Sequence, residues 1–131
     1  MNQTTSMSKL APLANKAAAG KRLNAYVPYS KFPVGAAIVD ERGNIHGGCN
    51  VETGHYDVMH AETNAIGSMI AAGGRVIEWI AVTSIPCGAC LQFMKEFMNE
   101  DSRICVVDVD GSQINVFSLH ELLPMPFSLP Q

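Results

Sequence analysis

Cys87 and Cys90 form a C-x-x-C behind a proline, in the stretch "SIPCGACLQFMKEF". Two sulfurs at that spacing reach one ion, and the apolar stripe Leu91, Met94, Phe97 and Met98 places the pair at the start of a helix that ends near "NEDS". A helix N-terminus favours thiolates, because it carries partial positive charge and free amide donors. Alone, the motif is open among a redox pair, half of a structural zinc site and coincidence. A redox pair belongs just after the first strand of a βα unit, whereas this one follows the third strand, so the zinc reading gains.

More ligands must then come from four histidines. His46 falls in a hairpin strand, His55 in a loop and His120 in a last short helix, and each reads as a surface or packing residue. His60 differs, because it opens a helix with Glu62 two positions on. Residues two apart do not share a helix face, but at the first turn both can lean toward a pocket at the helix mouth. His60, Cys87 and Cys90 together leave the fourth tetrahedral position of zinc open, as a catalytic site requires. Two thiolates and a neutral imidazole also balance the charge of Zn²⁺. Water on such an ion ionises near neutral pH, and Glu62, a carboxylate outside the ligand set, is placed to carry its proton. The plainer reading of Glu62 is a favourable charge at a helix N-terminus, worth about 0.3–1 kcal/mol.

Two helices preceded by strands must position these groups. Leu10, Leu13, Ala14, Ala17 and Ala18 predict an amphipathic helix over roughly 8–25, broken by "PYSKFPVG". "VGAAIVD" and "IHGGCNV" flank "ERGN" as a hairpin, and "GHYDV" reads as a loop. Ala61, Ala65, Ile66, Met69 and Ile70 carry the next helix to a Gly73-Gly74 stop. "VIEWIAVTS" and "ICVVDV" are apolar strands of the kind buried on both faces, and "DGS" turns the second into "QINVF". Ser118 with Glu121 resembles a capping box. Helices alternating with buried strands imply a mixed sheet of about five strands covered by helices, in one domain over 1–131. Cys49 and Cys105 read as buried small hydrophobes in strands.

Composition narrows the partners. With 47% apolar and 16% charged residues, the chain folds rather than staying disordered. A net charge of −3 and no basic cluster argue against nucleic acid as partner, since that binding rests on neutralising phosphates. A small neutral substrate fits better. No apolar run approaches the ~20 residues of a membrane span, and "MNQTTSMSKLAPLANKAAAG" does not read as a signal peptide. The expected location is the cytoplasm, where cysteines serve metals or catalysis rather than disulfides.

The residues also carry a resemblance. His60-Ala61-Glu62, then 23 residues, then Pro86-Cys87-Gly88-Ala89-Cys90 matches H-x-E…P-C-x-x-C, the signature of zinc nucleobase deaminases. "AYVPYSKFPVGAAIV" resembles the "AY-PYS-F-VGAA" stretch of free-nucleoside cytidine deaminases. "CNVE" resembles their ribose-binding N-x-E, "PCGAC-Q" their second zinc motif and "LLPMPF" their C-terminal LLP-x-x-F. The similarity runs from about Ala25 to Phe127.

It implies a three-layer cytidine-deaminase-like fold and hydrolysis of cytidine or deoxycytidine to uridine or deoxyuridine plus ammonia, as in pyrimidine salvage. It further implies one zinc per chain on His60, Cys87 and Cys90, with Glu62 as proton shuttle. Asn50 and Glu52 would bind the sugar hydroxyls, Phe32 would pack on the pyrimidine, and the backbone at Ala61 and Cys87 would meet the base edge. Phe127 would reach a neighbouring subunit's site in a homotetramer. The chain departs from the short, tetrameric class in carrying His60 for a third cysteine, and Thr63 and Leu91 for two arginines. These changes are mutually consistent, since one thiolate fewer leaves less negative charge to offset. The segment "TGHYDVM" also lacks the usual "N-A-x-Y" start. A deaminase of a related small molecule, such as blasticidin S or a modified cytidine, is the alternative, followed by a polynucleotide-editing deaminase and a zinc-stabilised binding domain without activity.

Overall fold

The computed structural model describes the backbone of residues 3–130 and the side chains of 7–130. Its first element, helix α1 (Gln3–Arg22), is followed by the hairpin β1 (Gly35–Asp40) and β2 (Ile45–Cys49). Next come β3 (Val51–Glu52), β4 (Val58–Met59), α2 (Ala61–Ala71), β5 (Ile77–Val82) and α3 (Gly88–Lys95). The chain closes with β6 (Met98–Val107), β7 (Gln113–Phe117) and the single turn α4 (Leu119–Leu122).

Five strands form one sheet in the order β2-β1-β5-β6-β7. Only β5 and β6 run parallel, joined through the crossover helix α3. The alternating side chains of each strand divide between two cores. Ala36, Ile38, Ile80, Val82 and Ile104 face α2 and α3 with Ala65, Ile66, Met69, Leu91 and Met94. Ala37, Val39, Trp79, Ala81, Cys105 and Val107 face α1 with Ala11, Ala14 and Ala18. Both faces are covered, which is why the central strands read as continuous apolar runs rather than alternating ones. The expected mixed sheet of about five strands between helical layers is therefore present.

Several local expectations shift. Helix α3 stops at Lys95, and Met98 begins β6, so "MNED" is strand rather than the end of a helix. The apolar spacing continued past the helix because Phe97 and Met98 still pack against the α2–α3 core after the chain has turned. On α1 the sheet-facing stripe is Ala11, Ala14 and Ala18, while Leu13 is 55% exposed. Alanines suffice there because the helix lies so near β1 that a side chain at Gly35 would strike the backbone of Ala18 and Arg22. "GHYDV" is the turn of a second, two-stranded sheet in which β3 and β4 pair, with Tyr56 left-handed at φ 67°. Cys105 is buried as expected, but Cys49 is only half-buried. The capping box is formed: Ser118 N–H donates to Glu121 Oε1 at 2.8 Å, and Glu121 N–H donates to Ser118 Oγ at 3.3 Å.

One turn closes the end of the sheet nearest the C-terminus of α2. Asp40, fully buried, accepts from the amides of Arg42 and Asn44, from the Arg42 guanidinium and from His46 Nε2 at 2.8 Å. Burial alone would raise its pKa, but the bonds from His46, Asn44 and Arg42 prevail and lower it to about 2. Arg42 also donates to Ala72 O at 3.1 Å, which fastens the end of α2 to the hairpin.

Candidate active site

Two helices point their N-termini at one place. His60 is the N-cap of α2 and Cys87 the N-cap of α3, both in extended backbone conformation and neither making a side-chain cap hydrogen bond. These side chains are thus released from the usual capping duty and turn to each other. His60 Nδ1 lies 3.2 Å from Cys90 Sγ and 3.5 Å from Cys87 Sγ. The three donor atoms lie within 4.8 Å of one another.

That spacing can be tested against a tetrahedral ion. Zinc bonds of about 2.3 Å to sulfur and 2.0–2.1 Å to nitrogen put N and S about 3.6 Å apart. The observed 3.2 and 3.5 Å fit within the freedom of a side-chain rotation. The donor chemistry fits too, two soft sulfurs and an imidazole being a zinc set. Burial pushes the Cys90 thiol up, with the charges of Glu62 and Cys87 adding to the effect. A dication reverses that sign, because a coordinated thiol is deprotonated outright.

Glu62 sits in the first turn of α2 and is 5% exposed. Burial raises its pKa, opposed by its own amide, by His60 and by a hydrogen bond with Cys90. The i, i+2 difficulty is resolved because His60 precedes the helix in extended conformation, so the pair does not obey helical periodicity. Both line one pocket of about 310 Å³, together with Ala61, Cys87, Phe32, Asn50 and Glu52.

The structure also assigns Asn50 and Glu52 a task their motif did not reveal. Asn50 Oδ1 accepts from Val34 N–H at 2.8 Å, and its Nδ2 donates to Phe32 O at 2.9 Å. Glu52 Oε1 accepts from the amides of Tyr29 and Ser30 at 3.1 and 3.0 Å. The Ser30 hydroxyl and amide hold the Glu52 carboxyl below the usual range. Both residues therefore shape the 26–34 loop that brings Phe32 to the pocket. Ser30, Val58, Ser84 and Ile85 line it as well and were missed, since none belongs to a charged or metal-binding pattern.

Of the expected site residues, Cys90 lies buried behind this pocket against His60, and Phe127 is not brought to it. It is 64% exposed, and its backbone is held by Gln92 on α3. At the departures from the short class, the Thr63 hydroxyl donates to His60 O at 3.1 Å, and Leu91 is buried in the core beneath α3.

A mixed sheet presenting a His/Cys/Cys donor set beside a buried carboxylate is the arrangement of a mononuclear metal site with an acid–base group next to it. Comparison with known proteins specifies the family. The family model of the cytidine and deoxycytidylate deaminase zinc-binding region matches residues 7–107. The cytidine deaminase of Sporosarcina psychrophila is 40% identical over 114 residues, covering 82% of this chain and 83% of that protein. The crystal structure of cytidine deaminase from Burkholderia pseudomallei superposes with a TM-score of 0.80 at 35% identity, covering 97% of this chain and all (100%) of that one. That of Mycobacterium tuberculosis gives 0.77 at 31%, over 89% and 96%. The chain belongs to the zinc-binding cytidine and deoxycytidylate deaminase family.

Proposed function

We propose that this protein hydrolyses cytidine or deoxycytidine to the corresponding uridine nucleoside and ammonia. The observation that carries the reading is the convergence of His60, Cys87 and Cys90 at a pocket lined by the buried Glu62, Asn50 and Glu52. His60, Cys87 and Cys90 hold one zinc per chain. The ion, when bound, acidifies water so that it acts as a nucleophile near neutral pH. Glu62 is the proton carrier: its burial keeps its proton affinity high, so it can move one proton from the water to N3 of the cytosine ring and then the remaining hydroxyl proton to the departing amine. One water enters, one ammonia leaves, and Glu62 ends as it began.

Phe32 covers the face of the pyrimidine, and the backbone at Ala61 and Cys87 meets its carbonyl and amino edge. Asn50 and Glu52 receive the sugar hydroxyls, while their bonds to the 26–34 loop hold that end of the pocket in shape. Phe127 serves the site of a neighbouring copy in a homotetramer; its exposure and its position outside its own chain's pocket support that role. The protein acts as a single domain over 1–131, in the cytoplasm and in pyrimidine salvage. No described helix is long and apolar enough to cross a membrane.

The test is a substrate panel on zinc-loaded protein: cytidine, deoxycytidine, cytosine, CMP, blasticidin S and N4-modified cytidines. Loss of absorbance at the cytosine band with cytidine or deoxycytidine, and about one zinc per chain, are expected. Turnover of the antibiotic alone would overturn the nucleoside reading.

A further inference from the structure

The far part of the C-terminal tail is tied to α3 by the side chain of Gln92. Gln92 Nε2 donates to Phe127 O at 2.9 Å, and Phe127 N–H donates to Gln92 Oε1 at 2.9 Å. A primary amide both donates and accepts in one plane at every ordinary pH, so it pairs with the peptide at Phe127 as a neighbouring strand would. The pairing spans 35 residues of sequence. It joins the tail to α3, whose orientation is set by Leu91 and Met94 in the core and which supplies Cys90.

At the start of the tail, Leu123 packs on the α2–α3 core and donates its amide to Leu119 O at 2.8 Å. Residues 123–130 form no helix or strand, and Met125, Phe127 and Leu129 are 92%, 64% and 77% exposed. Beyond Leu123, Pro124, Pro126 and Pro130 restrict the backbone, so the chain is stiff there. The two bonds to Gln92 fix the backbone at Phe127, and they use none of its side chain.

We infer that Gln92 is a positioning residue: its amide sets the pose of the tail on α3 and so presents the Phe127 side chain in a fixed place. The inference rests on the proposed role of Phe127 at a substrate site, and it adds the device that makes that role possible. A free tail would have to be ordered each time substrate binds, at the expense of affinity. The clamp removes that cost beforehand. It acts on binding, not on proton transfer.

Three zinc-loaded variants test this: Gln92→Leu, which keeps the volume and removes the amide; Gln92→Glu, which can accept from Phe127 N–H but repels Phe127 O; and Phe127→Ala, which spares the clamp because only backbone is used. Amide hydrogen exchange at residue 127 reads the clamp directly, and KM and kcat for cytidine read its consequence. In Gln92→Leu, exchange at Phe127 should accelerate and KM rise on the order of tenfold, the worth of two hydrogen bonds, with kcat and zinc content held. Gln92→Glu should fall between it and the parent. Phe127→Ala should raise KM, and Gln92→Leu added to it should raise KM little further. Unchanged exchange in Gln92→Leu would overturn the clamp. A raised KM in Phe127→Ala but not in Gln92→Leu would overturn its link to binding. An unchanged KM in Phe127→Ala, with faster exchange in Gln92→Leu, would instead sink the placement of Phe127 at a substrate site.

Discussion

Gly48 on β2 is where the sheet meets the helix that carries Glu62. A Cβ there would lie 2.5 Å from Ala65 N and 2.6 Å from Ala61 O, both backbone atoms that no side-chain rotation can clear. Ordinary contact starts near 3.4 Å, so Gly48→Ala must drive α2 and β2 apart by about 1 Å. Overpacking of this kind costs about 1–3 kcal/mol. In a chain of this length that lowers Tm by about 3–12 °C. Ala61 lies between His60 and Glu62, so the displacement reaches the site, where an error of about 1 Å can cost roughly 10²-fold in turnover. Gly67, in the middle of the same helix, provides the control. A Cβ there meets nothing within 4 Å, so Gly67→Ala should stabilise by about 0.5–1 kcal/mol and leave turnover alone. Both variants are to be followed by thermal unfolding at one fixed zinc concentration, since bound metal itself shifts Tm, and by cytidine turnover. If Gly48→Ala melts with the parent and turns over at the parent rate, the close approach of β2 and α2 does not set the site.

Two further outcomes are expected. Glu62→Gln should retain about one zinc per chain, because the ligands are untouched, while kcat falls by about 10²–10⁴-fold; full activity in the metal-loaded variant would remove Glu62 from the mechanism. The depressed pKa of Asp40, about 2 against 3.8, favours its ionised form in the folded state. Its stabilisation of about 2 kcal/mol is then complete above pH 4 and lost as pH falls toward 2. Asp40→Asn should therefore be less stable than the parent at pH 7 and show a flatter loss of stability between pH 4 and 2 in urea titrations; parallel curves would contradict the assigned role of the buried carboxylate.

The chemistry of this chain was legible in its sequence because it depends on residue type and short spacing. Pro86, Cys87 and Cys90 lie within five residues and His60 and Glu62 within three, and each group sits beside a helix start that local periodicity also marks. The strands were legible for a similar reason: with helices on both faces they must be apolar throughout. Boundaries were less so. The stripe of α3 ran into β6 because Phe97 and Met98 stay apolar for the core, whichever element carries them. Leu13 fitted a helical pattern but faces outward, since the near approach of α1 to Gly35 favours small side chains such as Ala14 and Ala18 on the buried side.

What only the tertiary structure decided are contacts between segments far apart in the chain. Nothing near Asn50 or Glu52 announces that they shape the loop carrying Phe32, 18 residues from Asn50. Nothing near Gln92 announces a peptide 35 residues downstream. His60 and Cys87 stand 27 positions apart in the chain, yet sheet and crossover close that gap to 3.5 Å. Sequence patterns record what each residue needs from its immediate surroundings; which distant residue meets that need is settled by how the helices pack on the sheet.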